Sequence, residues 1–252
     1  MYFYSILFGD IRYAYMAMMM LQSLEKVPFQ KHILLVSSDI FKKIEKMHYF
    51  HSEKYIIIEI PPPADIYDAM RYKYKLNDYV DCSGATFMYI DCDMMCVRPF
   101  SQVLPADCFK LFPEGALLED NYSGIAPFME VPSPGAPGFT AGFFMFNYGP
   151  NVQRTFDAIL ESMETNMGFY TLDQPHFNKI IYSGTANVQL LDDGFISFNM
   201  HNNTDTCSFV NLAGHPGNGE LHFSKMFDLF MSGFQQIMAA SKIEDTKSPP
   251  LP

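Results

Sequence analysis

The sequence has no tryptophan, few basic residues and no apolar run long enough to cross a membrane. In its 252 residues, 17 lysines and arginines are outnumbered by 28 aspartates and glutamates, and the formal net charge at pH 7 is -11. Because binding to nucleic acid needs a basic surface that neutralises phosphates, the sequence predicts no nucleic-acid partner. Because no run of about 18 apolar residues occurs, we also expect no membrane span. A small anionic substrate remains compatible with this charge if a metal ion or a few basic side chains neutralise it.

Cysteine is also scarce, with five residues in the chain. None of their spacings has the paired C-x2-C pattern that is typical of zinc sites. The odd number favours reduced, mostly buried thiols over disulfides, and hence a reducing compartment, which we take to be the cytoplasm. The N-terminus lacks the basic region of a signal peptide and has the pattern of a strand. The five cysteines are Cys82, Cys92, Cys96, Cys108 and Cys207.

Strand-length apolar runs alternate with helical patterns through the first half of the chain. Runs such as "HILLV", "YIIIEI" and "TFMYI" are continuously apolar, which is typical of parallel strands that are covered on both faces. The sequence therefore predicts an α/β fold with a mostly parallel central sheet flanked by helices, in one domain over residues 1–241. We expect one helix over residues 65–79, a long surface loop over residues 112–138, and a polar, proline-rich tail over residues 242–252 that is disordered or part of a linker.

An acidic pair follows one of these strands, in "FMYIDCDMMCVRPF" at residues 87–100. Asp91 and Asp93 are two residues apart, so in extended chain their side chains project to the same side. Two interpretations remain open from the residues alone. The pair either ends the strand at a solvated turn or binds a hard cation such as Mg²⁺ or Mn²⁺, with coordination positions left for a diphosphate.

Seven stretches in a characteristic order carry a resemblance to a known family. They are "YSILFGDIRYAYMAMMMLQSL", "RYKYKL", "FMYIDCDMMCVRPF", "TAGFFMFNYGPN", "LDQPHFNKII", "FISFN" and "NLAGHPGN". Over about residues 2–225 the chain resembles the glycogenin-like nucleotide-sugar glycosyltransferases of family 8, which have the Rossmann-like GT-A fold. The resemblance implies transfer of a sugar from a nucleoside diphosphate donor, UDP-linked, to a hydroxyl of a glycan or glycoconjugate acceptor. It further implies Mn²⁺ or Mg²⁺ as cofactor and a retaining outcome, and it is compatible with an oligomer.

The resemblance assigns the acidic pair, Asp91 and Asp93, to the metal. It also exposes a departure, because Asn211 stands where the family has a histidine as third metal ligand. An amide oxygen can coordinate a hard cation, although more weakly than a charged donor. Three alternatives are open for the third position, namely Asn211, His215 beyond the next glycine, and solvent.

The remaining site residues are also implied by the resemblance. The predicted catalytic residues are Asp173 and Gln174, near the reacting sugar, and Lys75, which shares a helical face with Arg71. Thr140 replaces the family's asparagine before the small residues Ala141 and Gly142, and this change is expected to alter the preference for the donor sugar. The predicted donor site consists of Leu7, Phe8, Gly9, Tyr13, Arg71, Lys75, Asp91, Cys92, Asp93, Thr140, Ala141, Gly142, Gly214, His215, Gly217, Asn218 and Lys225.

For several of these residues an ordinary structural role is equally compatible with the sequence. Tyr13 is then a packed aromatic, and Arg71 and Lys75 form a solvated helix face. Asp173 can be a helix N-cap and at the same time lie near the reacting sugar. Two other function classes also remain. A catalytically weak GT-A domain would bind a nucleotide or glycan without turnover. A sugar nucleotidyltransferase is less compatible, because "FGDIRYAY" is not the glycine-rich basic loop that such enzymes carry after their first strand.

Overall fold

The computed structural model describes residues 1–25, 27–117, 128–165, 172–198, 207–212 and 223–232 of the chain. The predicted tail at residues 242–252 lies outside these ranges, as does the end of the predicted domain. No helix in the described ranges is long and apolar enough to cross a membrane. All five cysteines belong to the described part of the chain, where none of them forms a disulfide bond.

The strands form two sheets, and the larger sheet carries the acidic pair. Seven strands are ordered β3-β2-β1-β4-β7-β6-β8, and three more are ordered β5-β10-β9. In the larger sheet β1 pairs in parallel with β2 and β4, whereas β7 runs antiparallel to β4 and β6. The prediction of a mostly parallel central sheet is confirmed. The strands are β1 (Tyr2–Leu7), β2 (His32–Ser37), β3 (Tyr55–Ile60), β4 (Thr86–Ile90), β5 (Met94–Cys96), β6 (Cys108–Ala116), β7 (Pro137–Asn147), β8 (Val188–Leu190), β9 (Ile196–Phe198) and β10 (Phe209–Asn211).

Helices cover both faces of the larger sheet. The turn after β1 uses Gly9 with a φ of 78°, a left-handed conformation that favours glycine. Asp10 then begins the first helix, because its carboxylate accepts a hydrogen bond from the Arg12 N–H at 2.8 Å. Residues 223–232 are also helical. The other helices are α1 (Ile11–Leu24), α2 (Ser38–Ile44), α3 (Ile66–Arg71), α4 (Pro150–Thr165) and α5 (Gln174–Tyr182).

Alternation along the strands divides the buried residues into two cores. Phe3, Met88 and Phe143 face one side, where they pack with α1 and the three-stranded sheet. Their chain neighbours Tyr4 and Tyr89 face the other side, where they pack with α4 and α5. Both faces are apolar because the strands are sandwiched between layers, which explains the continuous apolar runs of the sequence.

Two predicted segments differ from the observed structure. The helix expected over residues 65–79 ends at Arg71 and is followed by two 3-10 turns, Tyr72–Tyr74 and Leu76–Asp78. The surface loop expected over residues 112–138 begins inside β6, which continues to Ala116. The proline and glycine there form irregular strand, since the pairing of β6 with β7 shifts register on both sides of Pro113.

Candidate active site

The acidic pair lies at the carboxyl end of β4, which is the side where parallel sheets bind ligands. Asp91 donates its backbone N–H to the carbonyl of Gly142 on β7, at 2.9 Å. Gly142 has no room for a side chain, because a Cβ there would lie 2.6 Å from Oδ2 of Asp91. The small residue of β7 therefore provides the space that the Asp91 carboxylate occupies.

A buried lysine stands between two carboxylates at this strand end. The Nζ of Lys73 lies 3.3 Å from a carboxylate oxygen of Asp173 and 3.7 Å from Oδ1 of Asp91. It also donates a hydrogen bond of 3.2 Å to the carbonyl of Ala141. Only 3% of the Lys73 side chain is exposed, so its charge is compensated by the protein rather than by water.

Two buried tyrosines donate to the same carboxylates. The hydroxyl of Tyr89 donates to Oδ1 of Asp91, and the hydroxyl of Tyr74 donates to Oδ2 of Asp173 at 2.6 Å. The pKa of each phenol is raised well above 10, first by burial and then by the neighbouring carboxylates. Both phenols are therefore protonated donors, and together with Lys73 they connect the two aspartates in one network.

Burial dominates the ionisation of the acidic pair. It raises the pKa of Asp91 to about 7, with Lys73 acting in the opposite direction and Asp93 adding to the rise. It raises the pKa of Asp93 to about 6, although backbone hydrogen bonding and Lys73 lower it. The pKa of Lys73 itself is raised, because the carboxylates of Asp173 and Asp91 more than offset the opposing effect of burial. The site therefore contains one ammonium group among several carboxylates, and burial disfavours the ionised form of the acidic pair.

The residues present fit a divalent cation. Oδ1 of Asp93 is buried and has no hydrogen-bond partner among the described residues, which leaves an uncompensated acceptor. Asp91 and Asp93 offer only oxygen donors, as Mg²⁺ and Mn²⁺ require. Among the described residues no third His, Cys, Asp or Glu joins them in one potential metal group. The aspartates can therefore hold a cation that takes its other ligands from an amide, a substrate or water.

These pKa values predict that cation binding depends on pH. A cation needs both carboxylates ionised, so we expect the affinity for Mn²⁺ to rise as pH increases through about 6 and about 7. In the metal-free protein the stability changes with pH in the opposite direction. The native state holds protons that the unfolded state, with carboxyl pKa values of 3.8, has released, so the aspartates' contribution to stability falls as pH rises from 3.8 to about 7. Thermal unfolding with and without Mn²⁺, at about pH 5.5 and about pH 7.5, checks this, and an equal Mn²⁺ shift at both values would contradict it.

Gln174 is held at the irregular part of the β6–β7 pairing. Its Oε1 accepts the N–H of Ala141 at 3.0 Å, and its Nε2 donates to Glu114 of β6 at 3.3 Å. One turn later along α5, Asn178 exchanges two hydrogen bonds of 2.8 Å with the backbone of Phe139. Side chains of α5 thus hydrogen-bond with the backbone of β7, and these bonds fix the position of Gln174 at the site.

Asp173 precedes α5 but does not cap it with its side chain. The structure shows no side-chain cap hydrogen bond from Asp173, whose carboxylate binds Lys73 and Tyr74 instead. The N-cap alternative is therefore wrong for the side chain. The residue before it, Leu172, has a φ of 56°, a left-handed conformation that is uncommon for residues other than glycine.

The predicted nucleoside segment lies beside the acidic pair. Leu7 is buried and Phe8 half-buried at the end of β1, which is the strand next to β4. Tyr13 is half-buried against the core, and burial raises its pKa, with further contributions from Cys92 and Asp93. The structure therefore brings Tyr13 and Cys92 near Asp93, while their roles in donor binding stay predictions.

The predicted pair of basic residues is not on one helical face, because α3 ends at Arg71. Arg71 forms an ion pair of 2.5 Å with Glu164 of α4. The ammonium of Lys75 lies over the ring of Tyr72, 5.4 Å from its centre. In the described part of the chain neither residue contacts the aspartates, and Lys73 takes that position instead. A role of Arg71 and Lys75 in donor binding remains untested.

The third metal position is only partly described. Strand β10 pairs Asn211 with Met94, and the N–H of Leu212 donates to the carbonyl of Asp93 at 3.0 Å. Asn211 is therefore buried next to the acidic pair. Lys225 is exposed in the helical segment 223–232. The predicted phosphate-binding residues Gly214, His215, Gly217 and Asn218 lie outside the described residues.

Sequence reasoning missed Lys73, Tyr74 and Glu114. Lys73 and Lys75 stand in the same stretch "RYKYKL", and a continuous α-helix would direct Lys75 towards Arg71. The 3-10 turn Tyr72–Tyr74 changes this direction and buries Lys73 and Tyr74 together. The signal that was available is the pair of tyrosines around Lys73, since buried aromatic neighbours favour a buried position.

Comparison with known proteins identifies the fold. The sequence matches no protein-family profile and no curated protein. The structure is similar to that of the galactosyltransferase LgtC, solved in complex with donor and acceptor sugar analogues, with a TM-score of 0.60 and 16% identity over 90% of this chain and 96% of that one. Mouse xyloside xylosyltransferase 1 in its apo form gives a TM-score of 0.56 and 12% identity over 83% of this chain and 97% of that one. The chain therefore has the GT-A fold, as the sequence predicted.

Proposed function

We propose that the protein is a metal-dependent glycosyltransferase that moves a sugar from a UDP-linked donor to a hydroxyl group of a glycan or glycoconjugate, with retention of configuration. The observation that carries the proposal is the acidic pair at the end of β4, in which Oδ1 of Asp93 is buried and finds no partner among the residues that the structure describes. The likeness to a galactosyltransferase and a xylosyltransferase supports the same reaction class. The order of motifs in the sequence supports the donor and the outcome.

In this proposal Asp91 and Asp93 hold Mn²⁺ or Mg²⁺, with Asn211 as the candidate third ligand. A cation bound there would stabilise the negative charge that develops on the departing nucleoside diphosphate. Lys73 adds a positive charge that the chain otherwise supplies sparingly. Because it is enclosed by Asp91, Asp173 and the carbonyl of Ala141, its position is set before any substrate arrives.

The rest of the catalysis is positioning. The amide of Gln174 has one orientation, because the N–H of Ala141 requires an acceptor and Glu114 requires a donor. The hydrogen bonds of Gln174 therefore determine which side of its amide group can face a bound sugar. Thr140 is buried, and its hydroxyl accepts a hydrogen bond of 3.2 Å from the N–H of Gly142. It is therefore less able than the family's asparagine to reach the sugar with a polar group. We expect this difference to bear on the choice of donor sugar.

A second candidate function follows from Asn211. An amide in place of the expected histidine weakens cation binding, which favours a domain that binds a nucleotide or glycan without turnover. The two candidates differ in one observation. A glycosyltransferase releases nucleoside diphosphate from a suitable nucleotide sugar in the presence of Mn²⁺, whereas a binding domain shows nucleotide binding and no release.

We expect one nucleotide to stabilise the protein only when a metal is present. Thermal unfolding is measured with UDP, GDP and CDP, each with and without Mn²⁺, for the wild type and Asp91→Ala. At about a hundredfold excess over Kd, UDP with Mn²⁺ should raise Tm by about 5 to 10 °C. Asp91→Ala should remove this rise, since it removes a cation ligand. No shift with any of the three nucleotides would refute the proposed donor site.

A further inference from the structure

Both oxygens of the Asp173 carboxylate accept hydrogen bonds from the protein itself. Its Oδ1 accepts a hydrogen bond of 3.3 Å from Lys73, and its Oδ2 accepts one of 2.6 Å from the hydroxyl of Tyr74. Only 4% of the side chain is exposed, whereas 34% of Asp91 is exposed. An incoming ligand can therefore reach Asp91 directly, but it reaches Asp173 only after the contacts with Lys73 and Tyr74 have changed.

Tyr74 is itself immobilised. Its ring stacks on Phe144 and Phe177, with centroid distances of 6.1 and 6.3 Å, and its side chain is fully buried. The turn that carries it is also anchored, because the hydroxyl of Tyr4 donates to the backbone carbonyl of Lys73 at 2.8 Å. The phenol of Tyr74 thus sets where the Asp173 carboxylate lies, and that carboxylate sets where the Lys73 ammonium lies.

We infer that Tyr74 and Asp173 are positioning residues which hold the Lys73 ammonium away from Asp91 and so keep Asp91 available to a cation. The inference rests on the proposed function, because it concerns the same acidic pair. It differs from the role that the sequence predicted for Asp173, which was contact with the reacting sugar. In this inference Asp173 also acts through Lys73, and its predicted contact with the sugar stays a prediction.

The physical basis is competition for one carboxylate. Lys73 lies 3.3 Å from Asp173 but 3.7 Å from Asp91, so the ammonium is shared unequally in favour of Asp173. If Asp173 loses its charge or its orientation, the nearest anion for the ammonium is Asp91. Ammonium and cation then compete for the same oxygens, and cation affinity falls.

The test measures the binding of Mn²⁺ alone, without nucleotide. The electron paramagnetic resonance signal of the free ion reports how much Mn²⁺ is unbound. We expect Tyr74→Phe to raise the Kd for Mn²⁺ by about three- to tenfold, since it removes one hydrogen bond to a charged group. Asp173→Asn should raise it by about tenfold or more. In a Lys73→Met background, Tyr74→Phe should change the Kd by less than about twofold, because the competing ammonium is absent.

Tyr72→Phe is the matched control. Tyr72 lies in the same 3-10 turn, and its hydroxyl points to the carbonyl of Pro61, so its loss should leave Mn²⁺ affinity unchanged. Tm measured in parallel separates binding from stability, and Tyr74→Phe against Tyr72→Phe decides the matter even if Asp173→Asn does not fold. Wild-type Mn²⁺ affinity in Tyr74→Phe would overturn the inference alone. Absence of Mn²⁺ binding in the wild type would overturn the proposed metal site, and the inference with it.

Discussion

Asp93→Asn is expected to abolish sugar transfer while making the metal-free protein more stable. Loss of a cation ligand removes several kcal/mol of leaving-group stabilisation, which corresponds to about a 10³-fold or larger decrease in rate. The gain in stability has a separate cause. Oδ1 of Asp93 is buried with no hydrogen-bond partner in the described part of the chain, and the charge of Asp93 opposes ionisation of Asp91. An amide removes that charge, so Tm without metal should rise, as it often does when a functional residue is replaced.

The measurement compares Tm with and without Mn²⁺, at about pH 7.5, together with release of UDP from a panel of UDP-sugars. At this pH both aspartates of the wild type are largely ionised, since burial raises their pKa values only to about 7 and about 6. Asp228→Asn, on the exposed side of the helical segment 223–232, is the control for loss of one negative charge. Retention of the Mn²⁺ response and of UDP release in Asp93→Asn would sink the assignment and leave the interpretation as a solvated strand end.

Gly142→Ala should have the second-largest effect. The added Cβ would lie 2.6 Å from Oδ2 and 3.4 Å from Cγ of Asp91, so the carboxylate must move. Its other oxygen is held by Tyr89, which prevents a simple rotation away from β7. A displacement of about 1 Å at a reacting site can cost about 10²-fold in rate, and we expect a loss of this order in Mn²⁺-dependent activity. Overpacking should also lower the free energy of unfolding by about 1 to 3 kcal/mol.

A second glycine in the same region provides the control. At Gly135 an added Cβ would meet no atom of the described residues within 4 Å, so Gly135→Ala tests the same substitution without the collision. Urea unfolding gives the stability change, and Mn²⁺ titration gives the state of the acidic pair. If Gly142→Ala binds Mn²⁺ as tightly as the wild type and Gly135→Ala, Oδ2 of Asp91 has no part in cation binding.

The sequence by itself determined the architecture and the place of the acidic pair. Strand β4 and the two aspartates that follow it were recognisable because alternation and apolar continuity are local properties of the chain. The confirmed parallel sheet then implies that Asp91 and Asp93 lie at a ligand-binding edge. The turn and helix after β1 are also encoded locally, since Gly9 permits a left-handed φ and the Asp10 carboxylate caps the helix.

Only the tertiary structure decided which residues surround the pair. The choice of Lys73 rather than Lys75 depends on a 3-10 turn anchored by Tyr4, which is 69 residues away in sequence. The requirement for glycine at position 142 depends on Asp91, which directly follows the neighbouring strand β4. The contact between Asp173 and Lys73 spans 100 residues. Periodicity and motif spacing indicate local secondary structure and the side to which side chains project. Contacts between residues this distant in sequence are selected by packing and by compensation of buried charge, which arise only when the chain is folded.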